Sequence, residues 1–302
     1  MKPKVTVGVC VKNSAITIKE AMESIINQDF PHELLELIVV DGNSKDETLM
    51  IIEKCLKGAN IKTKIFSENE GLGWARQIVV ENAQGDYIVW VDGDMILQKD
   101  YIRRLVEFME QNPNIGIAKG KPSLKLLKGT LATLENFSRA VNMMADFQSK
   151  SSHSKTLGTS GSIYRVNAIR QVGGFDKDIQ GYCEDWDAEI KVQSAGWARQ
   201  TIDIEYLDYE RHGVTWKALW RRYWRRGYDT HFFLHKRPGL IKHYRMLPPA
   251  AFLAGLLDAH KLFILSRKKM VFLLPIQYIF KSAAWYAGFL KGHQNFHEAK
   301  QQ

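Results

Sequence analysis

From residue 5 to about residue 94 the chain alternates short apolar runs with stretches of helical periodicity, and no other feature restricts its fold as strongly. VTVGVCV precedes Thr17 to Gln28, where Ile18, Ala21, Met22, Ile25 and Ile26 recur at helical spacing. LELIVVDG leads to a second helix, announced by Ser44 and Glu47 in the spacing of a capping box. TKIFSE is followed by a helix from about Leu72 to Ala83, and then by the apolar run Tyr87 to Val91. Strands joined by helical crossovers lie parallel, so this order predicts an α/β fold: a doubly wound, mostly parallel, Rossmann-like sheet. A helix from about Asp100 to Gln111 and the strand IGIAKG continue the pattern.

The fourth strand ends in two carboxylates, Asp92 and Asp94, separated by one glycine. Ligands of such sheets bind where strands end, at the carboxyl edge. Two adjacent carboxylates repel unless a cation shares them, and a hard divalent ion carrying phosphates meets that need. Asp-Gly-Asp also suits an ordinary turn. The dipeptide pattern alone leaves both readings open.

Composition limits the alternatives. A chain of 302 residues with 45% hydrophobic and 25% charged residues is globular rather than disordered. Its three scattered cysteines offer neither a disulfide framework nor a zinc cluster, which points to a reducing compartment. The run Val5 to Val11 is too short for a secretory signal. Net charge is +9, but residues 211–302 carry 17 Lys and Arg against 3 Asp and Glu, a balance of +14, while residues 1–210 carry −5. A basic tail of this kind suits nucleic acid, anionic lipid or phosphorylated substrates. The division expected is an α/β ligand-binding domain over 1–215 and a basic, aromatic-rich helical region over 216–302. Between Leu124 and Lys155 the periodicity weakens, and Gln148 to Thr156 reads as a mobile loop.

Several motifs together resemble the inverting, family-2-like glycosyltransferases of GT-A fold. They are the first strand ending in Val11-Lys12-Asn13, VVDGNSKDET over Val39 to Thr48, EGLGWARQ over Glu70 to Gln77, VDGD, and GTSGSIYRVNAIRQVGGF followed by EDWD at Glu184 to Asp187. The resemblance implies a metal-dependent transfer of sugar from a nucleotide-sugar donor to a hydroxyl acceptor, either lipid-linked or a cell-surface glycan precursor. Val11, Asn13, Asp41, Gly71, Arg76 and Asp92 would then face the donor. Asp41 would accept from the base, or merely shape a helix-entry turn. Arg76 would meet the phosphates or pair with Asp92. Asp94 would hold manganese or magnesium, with Asp92 supporting the ribose or the metal's hydration. His212 would complete the metal site or pack as an ordinary aromatic neighbour. By resemblance Asp185 is the general base, with Glu184, Trp186 and Asp187 around the acceptor. Cys10 and Lys12 stand where the family often has proline and an aromatic.

The tail interleaves Trp216, Trp220, Tyr223 and Trp224 with Arg221, Arg222, Arg225 and Arg226, as expected of a helix at a headgroup layer. The Gln-x-x-Arg-Trp run of the processive synthases is absent, so single addition is expected. Met246 to Leu265 and Met270 to Leu290 approach spanning length, yet Asp258, Lys261 and Lys281 each cost roughly 2.5 to 3.5 kcal/mol at a bilayer centre. Interfacial helices on the cytoplasmic face of an anionic membrane are therefore expected, the enzyme being peripheral or monotopic. A polyprenyl phosphate acceptor would need no base, which makes EDWD superfluous. A nucleotidyltransferase would want a Gly-rich basic run after the first strand, where VKNSAIT stands. A nucleic-acid-binding protein would leave Asp92, Asp94 and EDWD unused, so no nucleic acid is expected as partner.

Overall fold

The computed structural model describes residues 2–144, 155–179, 181–207, 213–241 and 246–300. The chain divides into two compact units, Met1–Lys121 with Asp146–Tyr209, and Pro122–Ala145 with Glu210–Gln302.

The first unit is built on an eight-stranded sheet. Its strands are β1 (Val5–Val11), β2 (Leu35–Asp41), β3 (Lys62–Ser67), β4 (Tyr87–Trp90), β5 (Ile96–Leu97), β6 (Ile115–Pro122), β7 (Ser162–Arg165) and β8 (Ala198–Leu207). They are ordered β3-β2-β1-β4-β7-β6-β8-β5. The β3, β2, β1 and β4 pairings are parallel. β7 runs antiparallel to both β4 and β6, and β5 antiparallel to β8, so the sheet is parallel in one half and carries antiparallel pairs in the other. Helices α1 (Ile18–Ile26), α2 (Thr48–Leu56), α3 (Leu72–Asn82) and α4 (Tyr101–Gln111) follow the early strands. After α5 (Thr130–Asn142), which belongs to the second unit, come α6 (Val166–Gln171) and α7 (Glu184–Ser194). β2 is buried throughout and β1 at all but one position, which is why both read as continuous apolar runs. Edge strand β3 has no buried position.

The expected capping box has a different outcome. Helix α2 begins at Thr48, and the Ser44 hydroxyl accepts from Asn13 N at 2.9 Å and donates to Asp41 Oδ1 at 2.6 Å. Ser44 ties the β2 turn to the β1 turn because two loop ends there need a shared partner more than the helix start does. The Asp46 carboxylate takes the Thr48 N–H at 3.1 Å instead.

The second unit is helical: α5, α8 (Trp216–Lys236), α9 (Pro248–Ser266), a 3-10 segment (Lys269–Leu273) and α10 (Leu274–Lys300). Leu134, Phe137, Val141, Ala259, Leu262, Val271 and Leu274 form its core. Helices α8 and α10 meet backbone to backbone: a Cβ at Gly227 would lie 1.8 Å from the Trp285 carbonyl oxygen, and one at Gly288 1.9 Å from that of Trp224. The stretch 122–145, placed by its sequence with the first unit, instead packs α5 into this helical core. The α8 aromatics partly face inward, Trp216 and Trp220 standing edge-on to Phe280 at 4.7 and 5.3 Å. Trp216 and Trp220 nonetheless keep exposed surface, and further apolar residues are exposed on α9 and the 3-10 segment, among them Leu253, Leu257, Ile264 and Phe272.

Candidate active site

The order β3-β2-β1-β4 reverses between β1 and β4, and at such a switch point a crevice opens at the strands' carboxyl ends. Parallel register sets Val11 beside Asp41 at that edge. Asn13 adopts a left-handed conformation, φ 51°, and its Oδ1 accepts from Lys45 N at 2.8 Å. The β1 and β2 turns are thereby laced into one rim. Asp41 is 4% exposed, and its two oxygens accept from Ser44 N at 2.9 Å and Ser44 Oγ. That is the turn-forming role, which leaves further acceptor capacity on each oxygen. Gly71 donates its N–H to Glu68 Oε2 at 2.7 Å at the entry to α3.

Asp92 and Asp94 follow β4 in a turn closed by Met95 N donating to Asp92 O at 3.0 Å, and both are partly exposed. The glycine between them is required: a Cβ at Gly93 would lie 2.7 Å from Val11 Cγ1. Because β7 is antiparallel, the residues that lead into it lie beside the end of β4. Ser160 there donates its hydroxyl to Asp92 Oδ2, and Gly161 N donates to Trp90 O at 2.8 Å. Ser160 lies in the GTSGS start of the motif quoted from the sequence, but its pairing with Asp92 was not expected.

Cys10, on β1, lies among Arg76, Asp92 and Glu68. Burial pushes its thiol up to about 12; Arg76 opposes the rise and the two carboxylates add to it. The thiol is therefore neutral and inert at physiological pH.

Arg76 takes a partner the sequence did not suggest. Its guanidinium is buried and paired with the buried Glu184 carboxylate, joining α3 to the first turn of α7. The pairing expected with Asp92 is thus replaced, Asp92 having Ser160. Glu184, expected at the acceptor, has its side chain only 3% exposed. Asp187, expected there too, is 1% exposed and faces Lys191 at 3.2 Å one turn along. Both are withdrawn because α7 packs this side against the unit. Asp185 and Trp186 remain partly exposed. Asp185 Oδ1 accepts from Trp186 N at 2.8 Å, and Oδ2 points toward Gly158. Cys183, at the helix entry, is left-handed with φ 87°, a local strain that sets the direction of the first turn.

One turn along α7, Glu189 is fully buried and paired with Arg199 Nη1 at 2.5 Å. It also accepts from Thr156 Oγ1, from Leu157 N at 3.0 Å and from Gly158 N at 2.6 Å. Burial raises its pKa, with Arg199 opposing. The pair fixes residues 155–158 beside Asp185.

Two expectations lie outside the described residues: His212 as a metal ligand, and most of the loop from Gln148 to Thr156. Among the described residues no group of three or more His, Cys, Asp or Glu could hold a metal ion by itself. The donor set nonetheless fits a hard divalent cation, since magnesium and manganese sites need one or two carboxylates with substrate phosphates supplying the rest.

Comparison with known proteins agrees with this geometry. Residues 6–173 match the model of glycosyl transferase family 2. The poly-beta-1,6-N-acetyl-D-glucosamine synthase of Staphylococcus epidermidis is 23% identical over 210 residues, 68% of this chain and 48% of that protein. The chain thus spans about half the length of that relative. In fold it is similar to a mannosyltransferase from Pyrobaculum calidifontis solved with GDP-Man and Mn2+ (TM-score 0.66, 20% identity, 98% of this chain and 88% of the other). It is also similar to S. aureus TarS solved with UDP-GlcNAc (TM-score 0.54, 16% identity, 98% and 92%). With over half of its length matched by the family model, and the β1–β2 rim, acidic turn and EDWD helix in one unit, the chain belongs to glycosyl transferase family 2.

Proposed function

We propose that this glycosyltransferase is metal-dependent and inverting, and moves one sugar from a nucleotide-sugar donor to a hydroxyl acceptor at an anionic membrane surface. The observation that carries the reading is Asp185: of the three EDWD carboxylates it is the one left partly exposed, with one oxygen held by a backbone N–H. An alcohol attacks well only if a base takes its proton in the transition state. In the proposed step the acceptor proton passes to Asp185 Oδ2 while the acceptor oxygen bonds to the anomeric carbon. The bond from that carbon to the diphosphate oxygen breaks on the opposite face, and its electron pair leaves with the nucleoside diphosphate. Asp94, with Asp92 and the expected His212, would hold manganese or magnesium, which when bound offsets charge on the departing diphosphate. Asn13, Asp41 and Ser44 form the rim proposed for the nucleoside. Trp186 offers its ring to the acceptor sugar or lipid.

Membrane association is supported by α9, which is long and apolar enough to cross a membrane while only 17% of it is buried. Its exposed end carries Arg267, Lys268 and Lys269. Asp258 accepts from the Tyr278 hydroxyl at 2.9 Å, and a polar contact satisfied within the unit suits a helix lying at the interface. An acceptor that is lipid-linked or a cell-surface glycan precursor, met on the cytoplasmic face, is consistent with that reading. The test is thermal stabilisation by UDP-, GDP- and dTDP-sugars with manganese, then NMR of the product formed with hydroxyl acceptors. An inverted anomeric centre and metal-dependent stabilisation are expected; retention, or transfer to a lipid phosphate by an enzyme lacking the Asp185 carboxylate, would overturn the reading.

A further inference from the structure

We propose that His231 and His235, one turn apart on α8, form a chelating site for a borderline transition-metal ion such as zinc or nickel. The site belongs to the helical unit, whereas the acidic turn that carries Asp94 belongs to the sheet unit. Histidines four positions apart share one face of a helix, and such a pair can bind one metal ion. Here the two Nε2 atoms stand 3.1 Å apart. Two bonds of about 2.0 to 2.1 Å to atoms at that separation enclose an angle of about 95 to 102°, which suits neighbouring positions of either an octahedral or a tetrahedral ion. A neutral imidazole carries its one proton on either nitrogen, so both Nε2 atoms present lone pairs at once when each ring holds its proton on Nδ1.

The packing of α8 on α10 holds both rings in place. His231 is 4% exposed, and its ring centre lies 5.0 Å from that of Phe289 and 5.7 Å from that of Phe296, both edge-on. His235, exposed to solvent, stacks on Phe296 at 3.9 Å with the planes 13° apart. Gly292 of α10 makes the room, since a Cβ there would lie 3.0 Å from His231 Cβ. Side-chain freedom that a metal would otherwise have to remove is thus already lost on folding. The pair lies in the last two turns of α8, whose carbonyl end attracts a cation, with Lys236 and Arg237 acting against it. Imidazole nitrogen suits zinc, nickel and copper, whereas magnesium and manganese prefer oxygen. With two protein ligands, water completes the coordination.

The experiment is calorimetric titration of the full chain with zinc chloride and with nickel chloride, carried out on D94A so that the acidic turn does not compete. H235A is then added to that background, with thermal unfolding in the absence of metal followed in parallel. D94A should bind both ions, and H235A should weaken that binding about tenfold or more, the least that loss of a direct ligand costs when loss of an outer-shell partner alone costs 10- to 100-fold. H235Q covers the case in which H235A fails to fold. The neighbouring pair on α10, His293 and His297, is the control: H293A combined with H297A should leave the affinity of D94A unchanged. Absence of zinc and nickel binding in D94A overturns the proposal. So does binding that survives both H235A and H235Q, or binding that is lost with His293 and His297 instead.

Discussion

Replacing Glu135 by Gln removes the only negative charge from a buried cationic cluster that the described residues of the helical unit form around it. Glu135 is fully buried on α5. It accepts from Lys281 Nζ at 2.8 Å and from the Tyr223 hydroxyl at 3.0 Å, with Arg139 at 3.7 Å and Arg222 at 3.9 Å. Burial alone would raise its pKa, but Lys281, Arg139 and Arg222 outweigh it and bring the carboxyl from 4.5 down to about 2. At about 1.4 kcal/mol per unit that depression corresponds to about 3 kcal/mol of folding free energy at neutral pH. The cost of breaking a buried ion pair by deleting one partner, about 3 to 5 kcal/mol, is similar. Because the folded value is depressed, the stabilisation is complete above the unfolded pKa and is lost as pH falls from 4.5 toward 2. Urea unfolding followed by circular dichroism at pH 7 and at pH 3 should therefore show E135Q about 3 kcal/mol less stable at pH 7, and the gap narrowing at pH 3. A variant within about 1 kcal/mol of the parent at pH 7, or a gap that widens on acidification, would refute the reasoning.

Other consequences concern the site and the surface. Asp94→Ala should abolish metal-dependent stabilisation by nucleotide sugar while leaving unfolding without ligand within about 0.5 kcal/mol of the parent, the usual range at exposed turns; calorimetric titration with donor and manganese checks it. Cys10, its thiol pushed up to about 12, should resist iodoacetamide at pH 8 in the folded state and react once unfolded, as read by mass spectrometry. Leu253→Glu with Leu257→Glu on the exposed face of α9 should cut co-sedimentation with anionic liposomes at low salt while donor binding persists, because each buried leucine contributes about 1.5 to 3 kcal/mol. Parent protein remaining in the supernatant at low salt would show that α9 is covered by something other than lipid.

The parallel half of the sheet was legible because β1, β2 and β4 are buried on both faces and leave unbroken apolar runs. Helix α5 was not, since Thr133, Glu135, Asn136 and Ser138 are all buried and interrupt its apolar period. Each finds a partner in the fold, as when Asn136 donates to Ser123 O, and a sequence gives no sign of such satisfaction. The same holds at the site. Asp92, Asp94 and Asp185 stand out as carboxylates after a strand or at a helix start, whereas Ser160, Glu189 and Arg199 matter through partners 10 to 68 positions away. Arg76 was singled out, yet its partner Glu184 is 108 positions distant and no periodicity links them. Exposed apolar surface was expected on α8 and over 246–265, and Trp216, Trp220, Leu253 and Leu257 are exposed, whereas the backbone contact that Gly227 and Gly288 allow between α8 and α10 was not read from the sequence.

Single-turnover transfer by Asp185→Asn, with donor binding measured on the same preparation, tests the assignment of the base most directly. The amide is nearly isosteric and can still accept from Trp186 N, but it cannot take a proton. Donor affinity and its metal dependence should match the parent, while transfer falls by about 10² to 10⁴, the usual contribution of a general base. Transfer within about tenfold of the parent would contradict the assignment, and would point to an acceptor that arrives already ionised.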